Sequence, residues 1–406
     1  MNILFVHQNF PAQYVHLAPE LARRGHKVVA LAIEKRNPVP GVQMVYYSPR
    51  INKDHRPHPL SAEFGSKMAR AEGCAAAAMA LRKTGFMPDL ICAHPGWGEP
   101  LFLKDVWPHA KMLCFWEYYY RAQGSDVNFD PEFAVPSIEN AVRIRVKNAH
   151  NLLALEAADW GVSPTQWQKE QFPSWAWPRI SVIHDGIRTN IACPDPSAAF
   201  VLPGTAIEAK AGDEIITFVS RNLEPYRGYH IFMRALPHIL RRRPHARVLI
   251  VGGDEVSYGG PAAAGRTWKQ HFLDEVAQDL DLRRVHFLGR LPYADYLKVL
   301  QVSAAHVYLT YPFVLSWSLL EAMSAACLII GSRTPPVEEV VRHGENGLLV
   351  DFFDARELSD TVCEALDQPL SFHSLRQNAR ARIVADYDLQ RVCLPQHLAL
   401  VEKTWS

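Results

Sequence analysis

The segment Ile215-Ile216-Thr217-Phe218-Val219-Ser220-Arg221-Asn222-Leu223-Glu224-Pro225-Tyr226-Arg227-Gly228 sets the fold. Ile215–Val219 is an apolar run of strand length, a polar loop follows, and Ile231/Phe232, Ala235/Leu236 and Ile239/Leu240 then recur at helical spacing. Val248–Val251 is the next apolar run. Strand, loop, helix and strand in this order predict a βαβ unit. Downstream, strands are expected near Val285–Leu288, His306–Tyr311, Leu328–Gly331 and Leu348–Val350, separated by stretches of helical pattern. Such alternation predicts a parallel sheet with helices on both faces.

The first half repeats this grammar. Ile3–Val6 reads as a strand, Gln8-Asn9-Phe10-Pro11 as a loop, and Leu17, Ala18, Leu21 and Ala22 as a helix face stopped by Gly25. Pro19 predicts that the regular part of this helix starts late or kinks. Val28–Ile33 is the second strand. Between the halves, Ile191–Asp213 is rich in Pro, Gly and Ala and lacks periodicity, so the linker is placed there. The expected fold is α/β with two doubly wound domains, residues 1–192 and 193–387. Such pairs are expected to bind ligand in the cleft between the domains, at the carboxyl ends of strands.

Composition narrows the function. Apolar residues are 48% and charged residues 21% of 406, with 22 Gly and 29 Pro, which is ordinary globular usage and excludes a disordered or collagen-like chain. Lys plus Arg is 43 against Asp plus Glu 42, so there is no global basic field and nucleic acid is not an expected partner. The seven cysteines (Cys74, Cys92, Cys114, Cys193, Cys327, Cys363, Cys393) form no CxxC or zinc-type cluster, and a reducing cytosol fits them. The apolar run after Met1 is too short for a signal peptide and Cys74–Leu81 is too short to span a bilayer, so a soluble or peripheral protein is expected.

Three constellations could carry chemistry. Arg221 and Arg227 flank a turn that opens a helix, where free N–H groups and forked guanidinium donors suit phosphate; two solvated loop arginines are the alternative. Glu321, in Tyr311-Pro312-Phe313-Val314-Leu315-Ser316-Trp317-Ser318-Leu319-Leu320-Glu321, either accepts bonds from vicinal hydroxyls such as those of ribose, or closes its own helix through the S-x-x-E spacing with Ser318. His94, in Cys92-Ala93-His94-Pro95-Gly96-Trp97-Gly98, ends a strand beside a glycine turn, as a structural or a reactive histidine. Motifs of dinucleotide oxidoreductases, P-loop kinases, serine hydrolases and zinc proteases are missing. Asp279/Asp281 and Asp386/Asp388 have D-x-D spacing but lie in or beside helical patterns, so metal is not expected there, and Arg241-Arg242-Arg243 complements a helix C-terminus.

Taken together the chain resembles the retaining glycosyltransferases of family 4 (glycosyl transferases group 1), which have the GT-B architecture of two Rossmann-like domains facing across a central cleft, and the resemblance implies that the C-terminal segment, about 388–406, crosses back onto the first domain. The resemblance rests on Ser220-Arg221 with Arg227-Gly228, Phe287-Leu288-Gly289, Leu319–Met323, Pro336-Val337-Glu338-Glu339-Val340 and Gly344–Val350. Arg24–Val28, His94, Val162–Thr165 and Val182–Ile187 extend it through the first half. It implies a nucleotide-sugar donor carrying UDP or GDP, a sugar, lipid-linked or other hydroxyl acceptor, and no metal or other cofactor. Arg221 and Arg227 would hold the diphosphate, Leu288 to Leu291 the base through backbone, Ser316 and Ser318 would belong to the donor site, and Glu321 would take the ribose. His94 stands as the active-site histidine near the donor sugar. The family pattern places a first glutamate eight residues before Glu321, where this chain has Phe313, and its glycines are changed to Val314 and Ser316. A binding scaffold without catalysis and a sugar-nucleotide epimerase are the alternatives.

The aromatic and acidic segment Phe115–Phe133 reads either as an acceptor wall, with Trp97, Glu117 and Tyr119, or as a packed helix surface. Trp160, Trp167, Trp175 and Trp177 with Arg143, Arg145 and Lys147 read as a peripheral membrane contact or as core tryptophans beside a solvated basic helix.

Overall fold

The computed structural model describes residues 1–35, 38–51 and 58–405, with the backbone alone at Ala264; Ser406, the last residue of the expected crossover segment, lies outside them. The chain forms two compact units, Met1–Gly186 with Gln390–Ser406, and Ile187–Leu389.

In the N-terminal unit the strands are β1 (Asn2–Val6), β2 (Lys27–Ala32), β3 (Val42–Tyr46), β4 (Leu90–Ala93), β5 (Lys111–Phe115), β6 (Trp160–Ser163) and β7 (Ile180–Val182). They pair in parallel in the order β3-β2-β1-β4-β5-β6-β7. In the C-terminal unit a hairpin, β8 (Ala199–Val201) with β9 (Glu208–Lys210), precedes β10 (Ile215–Asn222), β11 (Arg247–Gly253), β12 (Val285–Gly289), β13 (Ala305–Tyr308), β14 (Ile329–Ser332) and β15 (Leu348–Val350). The order β12-β11-β10-β13-β14-β15 is again all parallel. Both sheets thus reverse beside their first strand, at β1/β4 and at β10/β13, and the carboxyl ends of those strands are where doubly wound folds bind ligands.

The strands form because their residues are apolar on both faces: Ile3–Val6, Val28–Ala32 and Val248–Ile250 are buried. The first helix, Leu17–Arg23, takes Pro19 in its first turn, where the missing N–H has no intrahelical partner to lose, and Gly25 turns the chain at φ +86°. The units divide at Gly186/Ile187 rather than at 192/193, because Ile187 pairs with Asp388 and packs with Ala192 in the core of the C-terminal unit. The last helix, Leu394–Trp405, lies on the N-terminal unit: Arg24 pairs with Glu402 at 3.7 Å and Lys403 lies 4.2 Å from the centre of the Trp160 ring.

One reading is corrected. Phe115–Phe133 is not a helix surface, since after β5 the chain runs through extended and turn conformations to Ser137. Prolines are few there, and what keeps the segment irregular is side-chain bonding to backbone: Asn148 Nδ2 donates to Tyr120 O at 2.7 Å and Gln168 Nε2 to Glu117 O at 2.7 Å. Trp160 and Trp177 are tied inward through their indole N–H groups, to Ser181 Oγ and Phe172 O at 2.9 Å each, whereas Trp175 is exposed. Among the described residues no helix is long and apolar enough to cross a membrane.

Candidate functional site

At the β10/β13 reversal the chain leaves β10, makes one turn of 3-10 helix at Pro225–Arg227, and enters the helix Tyr229–Arg242 through Gly228 at φ +65°. Gly228 is required twice, by its left-handed backbone and because a Cβ there would sit 2.3 Å from Leu309 Cβ. Gly228→Ala is therefore expected to lower stability by ~1–3 kcal/mol, read in urea unfolding; an unchanged midpoint would mean that the turn is more plastic than its geometry.

The turn delivers Arg227, which is buried with 5% of its surface exposed, whereas Arg221 is exposed on β10. The two arginines flanking the turn are therefore in different environments. Arg227 Nη1 donates to Thr310 Oγ1 (2.8 Å) and Val314 O (3.0 Å), with Tyr308 Oη at 3.4 Å. Its guanidinium lies 5.0 Å from the Tyr258 ring and 5.9 Å from Phe313. Burial works against the cation, and the Tyr308 and Tyr258 hydroxyls and the Glu224 carboxylate outweigh it, holding its pKa above the usual value.

Glu224 is the residue the sequence reading passed over. Its buried carboxylate accepts from the backbone N–H groups of Ser257, Tyr258 and Gly259, at 3.2 Å for the nearest oxygen of each, which fixes the loop after β11 against the arginine. Burial pushes its pKa up, and those three N–H groups with Arg227 pull back. Phe313 completes the wall, 5.0 Å from the Tyr258 ring and 5.5 Å from Tyr226. The position where the resemblance expects a carboxylate is a buried ring.

On the helix Trp317–Ser324 the cap is Ser316, whose Oγ accepts from Ser318 N at 3.2 Å. The S-x-x-E box of Ser318 and Glu321 does not form, because the helix starts one residue before Ser318 and Glu321 faces another element. Its two oxygens accept from Tyr293 Oη (2.7 Å) and Tyr296 Oη (2.9 Å), both on the helix Tyr293–Gln301. Burial raises its pKa against those hydroxyls and Arg188, whose guanidinium lies 5.0 Å from the Tyr293 ring. An ionised carboxylate has about four acceptor positions, so two remain for a diol. Leu288 and Leu291 are half-buried against the core of the same unit, which leaves their backbone as the polar contact surface. Ser316 N also donates to Tyr308 Oη at 2.9 Å, tying this helix end to the Arg227 cluster.

In the N-terminal unit His94 follows β4 at the β1/β4 reversal and is buried. Its Nδ1 accepts from Gly96 N (3.2 Å), and Nε2 lies 3.3 Å from Glu117 Oε2. The ring stacks on Phe115 at 5.6 Å and meets His7 edge-on at 5.2 Å. The structure thus joins His94 and Glu117. Tyr119 instead packs on Phe172 at 5.5 Å, and Trp97 is partly exposed on the glycine turn.

Residues 24–192 match the family model described as "Glycosyl transferase family 4 group", and residues 205–382 match "Glycosyl transferases group 1". The D-inositol 3-phosphate glycosyltransferase of Corynebacterium efficiens is 27% identical over 191 residues, 47% of this chain and 43% of the relative. The chain thus aligns with under half the length of that relative. Among solved structures, sucrose-phosphate synthase of Thermosynechococcus elongatus superposes with a TM-score of 0.70 at 18% identity, covering 99% of each chain. Anabaena HepE, solved in complex with UDP, gives 0.66 at 17% identity with 100% of each chain covered.

Proposed function

The chain belongs to the glycosyltransferases, the family 4 group in its first half and group 1 in its second, and from that premise we propose that it moves a sugar from a nucleotide-sugar to an acceptor hydroxyl with retention. The observation that carries this is Arg227, clamped at the β10/β13 reversal beside the start of the helix Tyr229–Arg242. A fixed cation and a helix N-terminus are what a departing diphosphate needs when no metal neutralises it. The donor carries UDP or GDP: Arg221 and Arg227 take its phosphates, Glu321 its ribose, Ser316 and Ser318 the groups between, and the Leu288–Leu291 backbone its base.

In the transfer, the acceptor oxygen bonds to the anomeric carbon on the face from which the diphosphate departs. The carbon–oxygen bond to the diphosphate breaks, and the acceptor proton passes to the leaving oxygen. This route needs no protein nucleophile and no metal. His94, held by Gly96 N–H and Glu117, lies on the acceptor side, and its fixed ring offers a polar group to the sugar. The product belongs to polysaccharide, glycolipid or glycoconjugate synthesis. The cytoplasm is the proposed location, where the seven cysteines stay reduced, with the inner membrane face open to peripheral contact.

Phe313 favours a second reading, a nucleotide-sugar-binding scaffold without transfer, because its ring supplies no hydroxyl-binding oxygen. Melting the protein with UDP, GDP, ADP and their sugar conjugates, with and without EDTA, tests both. One nucleotide is expected to raise the melting temperature unchanged by EDTA, since a ligand of the folded state alone stabilises it. No shift with any nucleotide removes the donor site. A shift without sugar transfer or hydrolysis leaves the scaffold.

A further inference from the structure

At the amino ends of β10, β11 and β12, in the C-terminal unit, a cavity of about 330 Å³ opens between Asp213, Glu214 and Ile215 on one side and Arg247 and Arg284 on the other. The sheet order explains the gathering. β11 lies between β12 and β10, so Arg247, its first residue, is flanked by the segments that lead into both neighbours. Ile215 pairs with Arg247 in register, and Arg247 N donates to Glu214 O at 2.9 Å. Pro244 and His245 line the cavity from the loop between the helix Tyr229–Arg242 and β11. β10 has 8 residues, which puts roughly 23 Å between this end of the strand and the end that leads to the Arg227 turn.

Two of the charged groups lining the cavity are matched within the fold. Arg243 donates to Glu214 through Nε, at 3.2 Å, and through Nη2, and pairs with Asp367 through Nη1. Arg284 Nε donates to Asp281 Oδ2 at 3.0 Å, and its Nη groups cover the helix end at Arg243 O (2.9 Å), Leu240 O (3.0 Å) and Pro244 O (3.2 Å). Arg247 and Asp213 are not matched. Among the described residues the Arg247 guanidinium has no ion pair and no hydrogen bond, and its Nε is buried without a partner. His286, one strand over on β12, supplies no countercharge, because burial and then Arg247 lower its pKa. Asp213 accepts from Lys210 N at 2.9 Å and pairs with no cation among the described residues. Nor do the two pair with each other. A guanidinium and a carboxylate that face one cavity without meeting are complementary to a ligand carrying both charges. A simple anion would be repelled by Asp213, and a simple cation by Arg247. The space also exceeds what an inorganic ion fills, since one water takes up ~30 Å³ of the liquid.

We propose that this cavity binds a small zwitterion of the α-amino-acid type, with its carboxylate on Arg247, its ammonium on Asp213 and its side chain along Ile215 and Pro244. The forked donors of the guanidinium match a carboxylate, and both contacts are charge-assisted. His245, exposed on the same loop, is a further partner for a polar side chain. The site lies at the other end of the sheet from Arg227 and does not depend on the glycosyltransferase reading.

The full chain is melted at matched ionic strength with each of the common L-α-amino acids at millimolar concentration. Beside each stand the hydroxy acid that lacks the ammonium and the amine that lacks the carboxylate. At least one amino acid is expected to raise the melting temperature by roughly 2–4 °C, and its hydroxy acid and amine to raise it much less. Arg247→Met and Asp213→Asn are expected to lose most of that rise and to keep the stabilisation given by UDP. Asp213 is exposed, and asparagine keeps an oxygen for Lys210 N, so Asp213→Asn covers the case in which Arg247→Met does not fold. No rise with any amino acid overturns the site. So does a rise undiminished in Asp213→Asn, or an equal rise with the hydroxy acid, since either leaves Asp213 without a role. A chain that responds to UDP and to no amino acid refutes this site alone. An amino-acid rise in a chain that no nucleotide stabilises supports the site and removes the donor reading.

Discussion

Arg227→Met is expected to bind nucleotide roughly 10- to 150-fold more weakly, a loss of ~1.5–3 kcal/mol, because it removes charge-assisted hydrogen bonds to the diphosphate. The same change lowers stability by ~2–4 kcal/mol, since the Thr310 hydroxyl and the Val314 carbonyl lose their donor inside the protein and Glu224 loses its nearby cation. Glu224 keeps its three backbone N–H bonds, which limits the damage to the loop at 257–259. Arg221→Ala separates the two effects. Arg221 is exposed, so its removal is expected to change stability by under ~0.5 kcal/mol, and any lost affinity then belongs to the ligand. Titration calorimetry with UDP and GDP, beside urea unfolding, reads both quantities. A folded Arg227→Met with unchanged affinity would take Arg227 out of the donor site.

The burial of Arg227 shows where sequence reading stops. The strand–loop–helix grammar was legible because β10, β11 and β13 to β15 are mostly apolar and buried, which is the signal of strands in a parallel sheet. The arginine's surroundings come from Tyr258, Tyr308, Thr310 and Phe313, brought together only by the sheet order. No local pattern encodes them. The Glu321 partners were closer to reach: Tyr293 and Tyr296 are three residues apart on one helix, a spacing that puts both hydroxyls on one face. The competing S-x-x-E spacing drew attention to Ser318 instead, and the cap went to Ser316 because the chain is still extended there, at φ −82° and ψ 143°. His94 was legible as the end of a strand and Glu117 as part of an acidic, aromatic segment, but their contact was not, since Glu117 reaches the ring from the loop after β5, the neighbouring strand.

Acidification is expected to unfold the N-terminal unit before the C-terminal one. His150, His184 and His397 lie in the first and His306 in the second. Burial holds His150, His184 and His306 down to about 3 and His397 to about 4; Lys67 adds to the fall of His150 and His397 to that of His184, while a bond to the His184 backbone pulls His397 back. Their contacts suit the neutral ring: His184 Nδ1 accepts from Gly186 N at 3.0 Å, and His306 Nδ1 meets Thr217 Oγ1 at 2.8 Å while its Nε2 has no partner. These native pKa values are below the unfolded value of ~6.5, so on acidification the unfolded chain takes up protons first. Stability is therefore complete above ~6.5 and falls as the pH drops towards the native values, by ~1.4 kcal/mol per site for each unit. The three sites remove ~4 kcal/mol from the N-terminal unit by pH ~5.5 and His306 removes ~1.4 kcal/mol from the C-terminal unit, while burial lowers His26 in the first unit and His238 and His286 in the second and so adds in the same direction to each. Buried carboxyls act in the opposite sense, because a raised native pKa makes acid stabilising in the window above the unfolded carboxylate value. Glu99 gives this to the N-terminal unit, and Glu224 and Glu321 give it to the C-terminal unit, which widens the gap between them. Trp268 and Trp317 lie in the C-terminal unit and the other eight of the ten tryptophans in the N-terminal unit, so tryptophan fluorescence follows mainly the first transition and far-ultraviolet circular dichroism both. Two separated acid transitions, the fluorescence one at the higher pH, are the expected result. A single coincident transition, or stability constant between pH ~7.5 and ~5.5, would show that these histidines are protonated in the native state and that their burial does not set the acid limit of the fold.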